Sequence, residues 1–428
     1  MFFTVVLEEF ISSLSAKALL FSNVQQSMTS SYSNVLKPLG FFEFFCGGGM
    51  ARIGLGAGWK CLFSNDFDPK KGIAYKSNFA PAEELHVGDV AKITTSQLPT
   101  RAPLAWASFP CQDLSLAGYG KGLAGERSGV FWPFWRLLMS LKAEGRHPPV
   151  VALENVSGLI TSHGGKDLTG LISGLVEAGY KVGTLEIDAA YFLPHSRPRL
   201  FIVAVANGVV LPKGLVAKIP NPAWHRRKLQ DLVEELPEAV RKNWIWWKIP
   251  MPTADVPNLS ELIEHDFSDS TWDSLAVTEK LLRMMTPGNL AKVAAARESG
   301  VLHVGTIYKR TRTGVQRAEV RFDGLSGCLR TPAGGSSRQI VMVVKGNEVR
   351  SRLISARETA RLMGLPESYT LPGKYNDAYH LTGDGVVVPV VNWLGQHLLR
   401  PLALSAQHLI EEDAGKLATN SSRPLFHA

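Results

Sequence analysis

The chain has 428 residues, room for two or three domains at about 150 residues each, which excludes a peptide or a small disulfide scaffold. Hydrophobic residues make up 45% and charged residues 20%, a folded composition that excludes wholesale disorder, and 46 Lys and Arg against 38 Asp and Glu give +8, which favours a polyanionic partner. Four scattered cysteines (Cys46, Cys61, Cys111, Cys328) suit no disulfide framework or zinc knuckle, and no apolar run approaches the ~18 residues of a membrane span. A reducing, cytoplasmic setting without structural metal or membrane is therefore expected.

Residues 1–38 begin apolar, carry Glu8 and Glu9 where a signal peptide would be positive, and turn polar and repetitive; they are set apart as an N-terminal extension. From Gly40 to about Asn207 the pattern repeats: an apolar run, a turn rich in Gly, Pro or Asp, then a helical stretch. The runs are Phe41–Phe45, Cys61–Ser64, Leu104–Ser108, Val150–Leu153, Gly183–Ile187 and Leu200–Ala206. Alternating strands and helices predict a doubly wound α/β sheet with ligands at the carboxyl ends of its strands. Pro212–Asp323 breaks the alternation, with one helical stretch near Leu275–Ser299. It reads as a separate small domain with Trp224, Trp244, Trp246, Trp247 and Trp272 in its core. A helix is then expected over Ser355–Met363, and a helix or strand pair over Val386–Leu399 that packs back on the first domain.

Four motifs fall at predicted strand ends. Phe41-Phe-Glu-Phe-Phe-Cys-Gly-Gly-Gly-Met-Ala-Arg-Ile-Gly-Leu-Gly-Ala-Gly58 runs a strand into a glycine-rich turn, where backbone can approach a nucleotide-like cofactor. Acidic turns follow the next two strands, Asn65-Asp66-Phe67-Asp68 and Gly88-Asp89-Val90, and can accept from ribose hydroxyls and an adenine amino group. Pro110-Cys111-Gln112 sets a thiol after a strand, in position for a nucleophile. Glu154-Asn155-Val156 ends another apolar strand; a carboxyl there has a raised pKa and can donate a proton near neutrality. Arg197-Pro198-Arg199 puts two guanidinium groups on one side of a strand. Taken singly, each has a plain structural alternative: a tight turn, a buried small thiol, a helix cap, a surface basic pair.

Taken in order, the glycine-rich turn, Pro-Cys-Gln, Glu-Asn-Val and Arg-x-Arg resemble the DNA (cytosine-5)-methyltransferase family, as do Arg352–Pro366 and Gly383–Val391 further on. The resemblance implies a Rossmann-like S-adenosylmethionine-dependent fold with a smaller target-recognition domain. Its expected divisions are 39–211 for catalysis and cofactor, 212–325 for target recognition, 326–405 for a return segment completing the catalytic domain, and 406–428 for a tail. It further implies that Cys111 adds to cytosine carbon 6 while Glu154 protonates or hydrogen-bonds nitrogen 3, that Asn155 orients the site, and that Arg199, with Arg197 beside it, contacts the cytosine carbonyl or adjacent backbone. Phe45, Gly47, Gly49, Met50, Asp66, Phe67, Asp89, Val90, Pro110, Asp384 and Val386 would line the S-adenosyl-L-methionine pocket. The implied partners are double-stranded DNA and, functionally, a cognate restriction endonuclease, for a monomeric bacterial cytoplasmic enzyme. Ser108, His195 and Asp384-Gly385 depart from the family's usual Gly, Gln and Asn-Ser, and His195 would set a titrating group beside the DNA.

Residues 308–361 hold twelve Lys or Arg and four Asp or Glu, a balance equal to the whole net charge. Arg310, Arg312, Arg317, Arg330 and Arg338, with Gln112 and Ser115, are the expected DNA contacts. An RNA cytosine methyltransferase and a non-catalytic DNA-binding regulator stay open as alternatives. A dinucleotide oxidoreductase fits the glycine-rich turn alone.

Overall fold

The computed structural model describes residues 37–99, 101–110, 130–264, 272–312, 314–330 and 338–421. Seven strands form the main sheet: β1 (Leu39–Phe44), β2 (Trp59–Asp66), β3 (Leu85–Val87), β4 (Leu104–Ala107), β5 (Val150–Val156), β6 (Tyr180–Asp188) and β7 (Pro198–Ala206). Their order is β3-β2-β1-β4-β5-β7-β6, parallel except that β7 runs antiparallel to both neighbours. β1, β4, β5 and β7 are almost wholly buried, as expected of strands covered on both faces. After β1 the chain adds strands on one side and, from β4, on the other, so the β1/β4 junction is the switch point where such sheets bind ligands. β3 is absent from the apolar runs, because it is short and incompletely buried, and only the Gly88 turn that follows it marks a strand there.

Helices α1 (Met50–Leu55), α2 (Pro69–Phe79), α3 (Phe131–Ala143) and α4 (Lys166–Glu177) connect the strands. The C-terminal part returns as α5 (Ala356–Leu362), α6 (Tyr375–Asp384) and α7 (Val388–Leu394), the last followed by a π turn and a helix over Arg400–Ser421. Ser355 and Glu358 form a reciprocal cap at the start of α5. Helices rather than a strand pair thus occupy Val386–Leu399. Asn392 donates to the Gly54 carbonyl and Arg400 to that of Gly58, fastening this return to α1 and to the turn before β2.

Two expectations are corrected. The tryptophans between Trp224 and Trp272 pack in the main core, not in that of a small domain. Trp247 donates to the Val203 carbonyl, and Glu186 donates its backbone N–H to Trp224, so this segment wraps the β6 edge of the large sheet. Gly183 makes room for it, since a Cβ there would run into the Ile245 carbonyl. The smaller unit instead rests on a second sheet, of β8 (His303–Arg312), β9 (Val315–Arg321), β10 (Ile340–Lys345) and β11 (Glu348–Leu353), in the order β9-β8-β10-β11. The boundary expected at 325/326 falls inside that sheet, because Ile340–Val344 pair with His303–Ile307. Its core includes Ile307, Val320 and Met342 under Leu281, Met285 and Val293. Leu281 and Val293 come from two helices, Leu275–Arg283 and Pro287–Glu298, with Met285 between them, where one stretch was expected; Pro287 starts the second helix.

Candidate functional site at the switch point

β1 leaves the sheet through a turn in which Phe45, Gly47 and Gly49 all have positive φ, of 56°, 56° and 76°. That conformation is natural for glycine and costly for Phe45, whose ring packs against Phe134. Asp66 at the end of β2 holds the turn: its carboxylate accepts from the Gly47 N–H and the Asp68 N–H, both at 2.8 Å. Asn65 beside it donates to the His86 and Gly88 carbonyls and fixes the third turn, where Asp89 caps a short helix that starts at the buried Val90. Asp66 therefore shapes the cradle besides facing it. Nothing lies within 4 Å of where a Gly47 Cβ would stand, and the Phe67 ring is 74% exposed, so the turn opens onto unfilled space beside an uncovered aromatic face.

From the C-terminal side, Val386 is buried and Asp384 is ion-paired with Lys71 of α2 at 2.8 Å. A Cβ at Gly385 would crowd the Met50 sulfur, so this turn packs closely on α1. An open glycine cradle, an uncovered aromatic ring and strand-end carboxylates together fit an adenosine-bearing cofactor.

On the other side of the junction, Ser108 donates its N–H to the Phe44 carbonyl, and the Asn155 side chain donates to the Phe109 carbonyl at 3.0 Å. Asn155 thereby holds the segment leading to Pro110, which is exposed and is the last described residue before Cys111. Cys111, Gln112 and Ser115 lie outside the described residues. Glu154 is 6% exposed and paired with the Arg199 Nε at 3.1 Å. Burial pushes its pKa up; Arg199, Arg197 and the Ser108 hydroxyl oppose the shift without cancelling it. A small pocket lies over the pair, walled by Ile187, Arg197, Phe201, Val386 and Val390.

Arg197 and Arg199 lie together, as alternation requires, but face different partners. Arg197 is 2% exposed and donates to the carbonyls of Leu329, Gly383 and Gly385 at 2.9, 2.9 and 2.7 Å. Its η nitrogens thereby clamp two distant segments to β7, while its Nε is buried without a hydrogen-bond partner at the pocket wall. His195 is also corrected: it is fully buried, accepts from the Leu329 N–H and contacts the Leu362 carbonyl at 2.9 Å. Burial, reinforced by Arg197, holds its pKa well down, so it is a neutral tie and not a titrating neighbour of DNA.

Two groups at the site escaped sequence reasoning. Cys328 lies against both arginines, 3.4 Å from an Arg197 nitrogen. Burial pushes its thiol up, yet Arg197, Arg199 and Arg330 outweigh that and the net shift is downward. No spacing ties it to residues some 130 positions earlier. Glu43, inside β1, is pushed up to about 8, chiefly by burial and against the pull of Arg52. An acid within an apolar run was the available signal.

Of the expected DNA contacts, Arg310, Arg317 and Arg330 are exposed, Arg338 contacts Asn376 and stacks over Tyr375, and Arg312 ends β8. Among the described residues there is no acidic, His or Cys cluster that could hold a metal, and no helix long and apolar enough to cross a membrane.

Residues 39–400 match the family described as C-5 cytosine-specific DNA methylase. The chain is 26% identical over 396 residues to the Type II methyltransferase M.DsaV of Dactylococcopsis salina, covering 91% of this chain and 95% of that one. It is 24% identical to M.HhaI of Haemophilus parahaemolyticus, with 85% and 95% covered, and 25% identical to M.HpaII of Haemophilus parainfluenzae, with 90% and 98% covered. Among solved structures, an S. pombe Dnmt2 methyltransferase superposes with a TM-score of 0.54 at 19% identity, covering 85% of this chain and 99% of that one. The Entamoeba histolytica methyltransferase EhMeth gives 0.53 at 15%, with 84% and 97% covered. At such identities the structural likeness establishes the fold.

Proposed function

The chain belongs to the C-5 cytosine-specific DNA methylase family and is a DNA (cytosine-5)-methyltransferase; on that premise we propose how it acts. Its substrate is a cytosine in a short duplex sequence, flipped out of the helix because carbon 5 cannot be reached inside the stack. The Cys111 thiolate adds to carbon 6, and the electron pair displaced onto nitrogen 3 takes the Glu154 proton. Carbon 5 of the resulting enamine becomes the nucleophile. The cradle of Gly47, Asp66 and Phe67 would hold S-adenosyl-L-methionine, which would supply an electrophilic methyl group. Loss of the carbon 5 proton to a base then expels the Cys111 sulfur and restores the aromatic ring.

The observation that carries this reading is the Glu154–Arg199 pair beside the Asn155–Phe109 tie. One strand end thus presents a carboxyl with a raised pKa and anchors the segment leading to the nucleophile. Arg199 offsets charge developing on the base, while Arg197 holds the pocket wall. The relatives named Type II methyltransferases support a restriction–modification setting in bacterial cytoplasm, with a cognate endonuclease as functional partner.

The test is transfer of labelled methyl from S-adenosylmethionine to genomic DNA and to transfer RNA, followed by bisulfite sequencing. Methylation confined to cytosines of one short DNA motif is expected. Transfer to RNA alone would move the substrate, and no transfer with cofactor binding intact would leave a regulator. Cys111→Ala is expected to abolish transfer and spare cofactor binding; retained turnover refutes the nucleophile.

A further inference from the structure

The hairpin of β8 and β9 is two-faced. Ile307, Ala318 and Val320 point into the second core. Alternation puts Tyr308, Arg310, Arg317 and Glu319 on the other face, with Tyr308 opposite Glu319 and Arg310 opposite Arg317. That face is continuous with the catalytic pocket. The Tyr308 hydroxyl donates to the Cys328 carbonyl, the Cys328 sulfur lies against Arg197 and Arg199, and Arg199 pairs with Glu154.

Two arginines directly opposite on a hairpin repel each other, and although Glu319 offsets part of that at Arg310, an acceptor brought to the pair relieves it further. A phosphate is one such acceptor, but Glu319 argues against it. Its carboxylate stands 3.4 Å from the Arg310 Nε on the same face, and Arg310 also lies 5.7 Å from the centre of the Tyr308 ring. A carboxylate at that position repels phosphate, whereas base edges suit the mixture. Guanine offers O6 and N7 to a guanidinium fork, and its paired cytosine offers an N4 donor to a carboxylate. A two-stranded ribbon also fits the major groove.

Building on the proposed duplex DNA substrate, we propose that Arg310, Arg317 and Glu319 read a guanine–cytosine pair in the major groove. The recognition sequence then contains at least one such pair besides the methylated cytosine. Arg310 is the preorganised fork and Glu319 both orients it and meets the cytosine amino group, with Arg317 as the second fork across the strand.

The experiment compares wild type with Arg317→Ala, Arg317→Lys and Glu319→Gln by bisulfite sequencing of a random duplex library, with salt-dependent binding to the preferred duplex. Arg317→Ala is expected to lose about 10- to 100-fold of its discrimination at one guanine position, with the others intact. Arg317→Lys keeps the charge and the salt slope but not the fork, and is expected to relax the same position. Equal weakening on all sequences by Arg317→Ala, with a shallower salt slope and rescue by Lys, would make these phosphate contacts and overturn the inference. In that outcome wild type still methylates a DNA motif and the proposed activity stands. Wild type that methylates no duplex would overturn both. Retained S-adenosylmethionine binding by each variant reports folding.

Discussion

Replacing Arg197 by methionine tests whether this side chain holds the protein together or touches the base. The guanidinium donates to three backbone carbonyls, of Leu329, Gly383 and Gly385. Charge-assisted bonds contribute about 1.5–3 kcal/mol each, so the gross contribution is roughly 5–9 kcal/mol. Burying the charge works against it. Desolvation, aided by Arg199, pulls the Arg197 pKa from 12.5 down to about 10, which corresponds to roughly 3 kcal/mol. The net loss for Arg197→Met is therefore about 2–6 kcal/mol. Urea unfolding followed by tryptophan fluorescence measures it, and Arg197→Lys, which reaches fewer of the carbonyls, should fall between methionine and wild type. A variant within about 0.5 kcal/mol of wild type that has lost methyl transfer more than about a hundredfold would show that Arg197 acts on the substrate, and the clamp would be wrong.

Glu154→Gln removes the proposed proton donor and is expected to lower kcat by about 10²–10⁴-fold. Because burial raises the Glu154 pKa, the wild-type rate should fall as pH rises through that shifted value, and the glutamine variant should lack that limb; a limb that persists belongs to another group. Phe67→Ala strips an exposed ring, so stability should be unchanged while S-adenosylmethionine affinity by calorimetry falls about 5- to 30-fold. Equal affinity would remove Phe67 from the cofactor cradle. Glu43 gives a stability effect of defined sign. Its folded pKa is about 8 against an ordinary value of 4.5, so the unfolded chain holds fewer protons between those values and stability falls as pH rises through the window. The full effect is at most about 5 kcal/mol. Urea midpoints at pH 5 and pH 9 should differ less in Glu43→Gln than in wild type, and a wild-type curve flat over that interval would contradict the buried, protonated carboxyl.

The sheet was legible because its strands are buried on both faces and read as unbroken apolar runs; β5 and β7 start within two residues of their predicted positions. β3 was marked only by the turn that follows it, and the β8–β9 hairpin not at all. The first is three partly exposed residues, and the second intersperses four arginines, a lysine, a glutamine and a glutamate among its apolar residues, which breaks the hydrophobic pattern. The tryptophans were correctly read as core and placed in the wrong one, because composition reports burial without naming the partner surface. The same limit separates the two arginines. Spacing showed that Arg197 and Arg199 share a side, but their partners come from residues 154, 329, 383 and 385, and only the folded chain brings those together. A motif can therefore mark where the chemistry gathers before it shows which member performs it. On the proposed mechanism Arg199, paired with Glu154, responds when the base gains charge. Arg197, with its η nitrogens on backbone carbonyls, is placed to keep the pocket wall still while that happens.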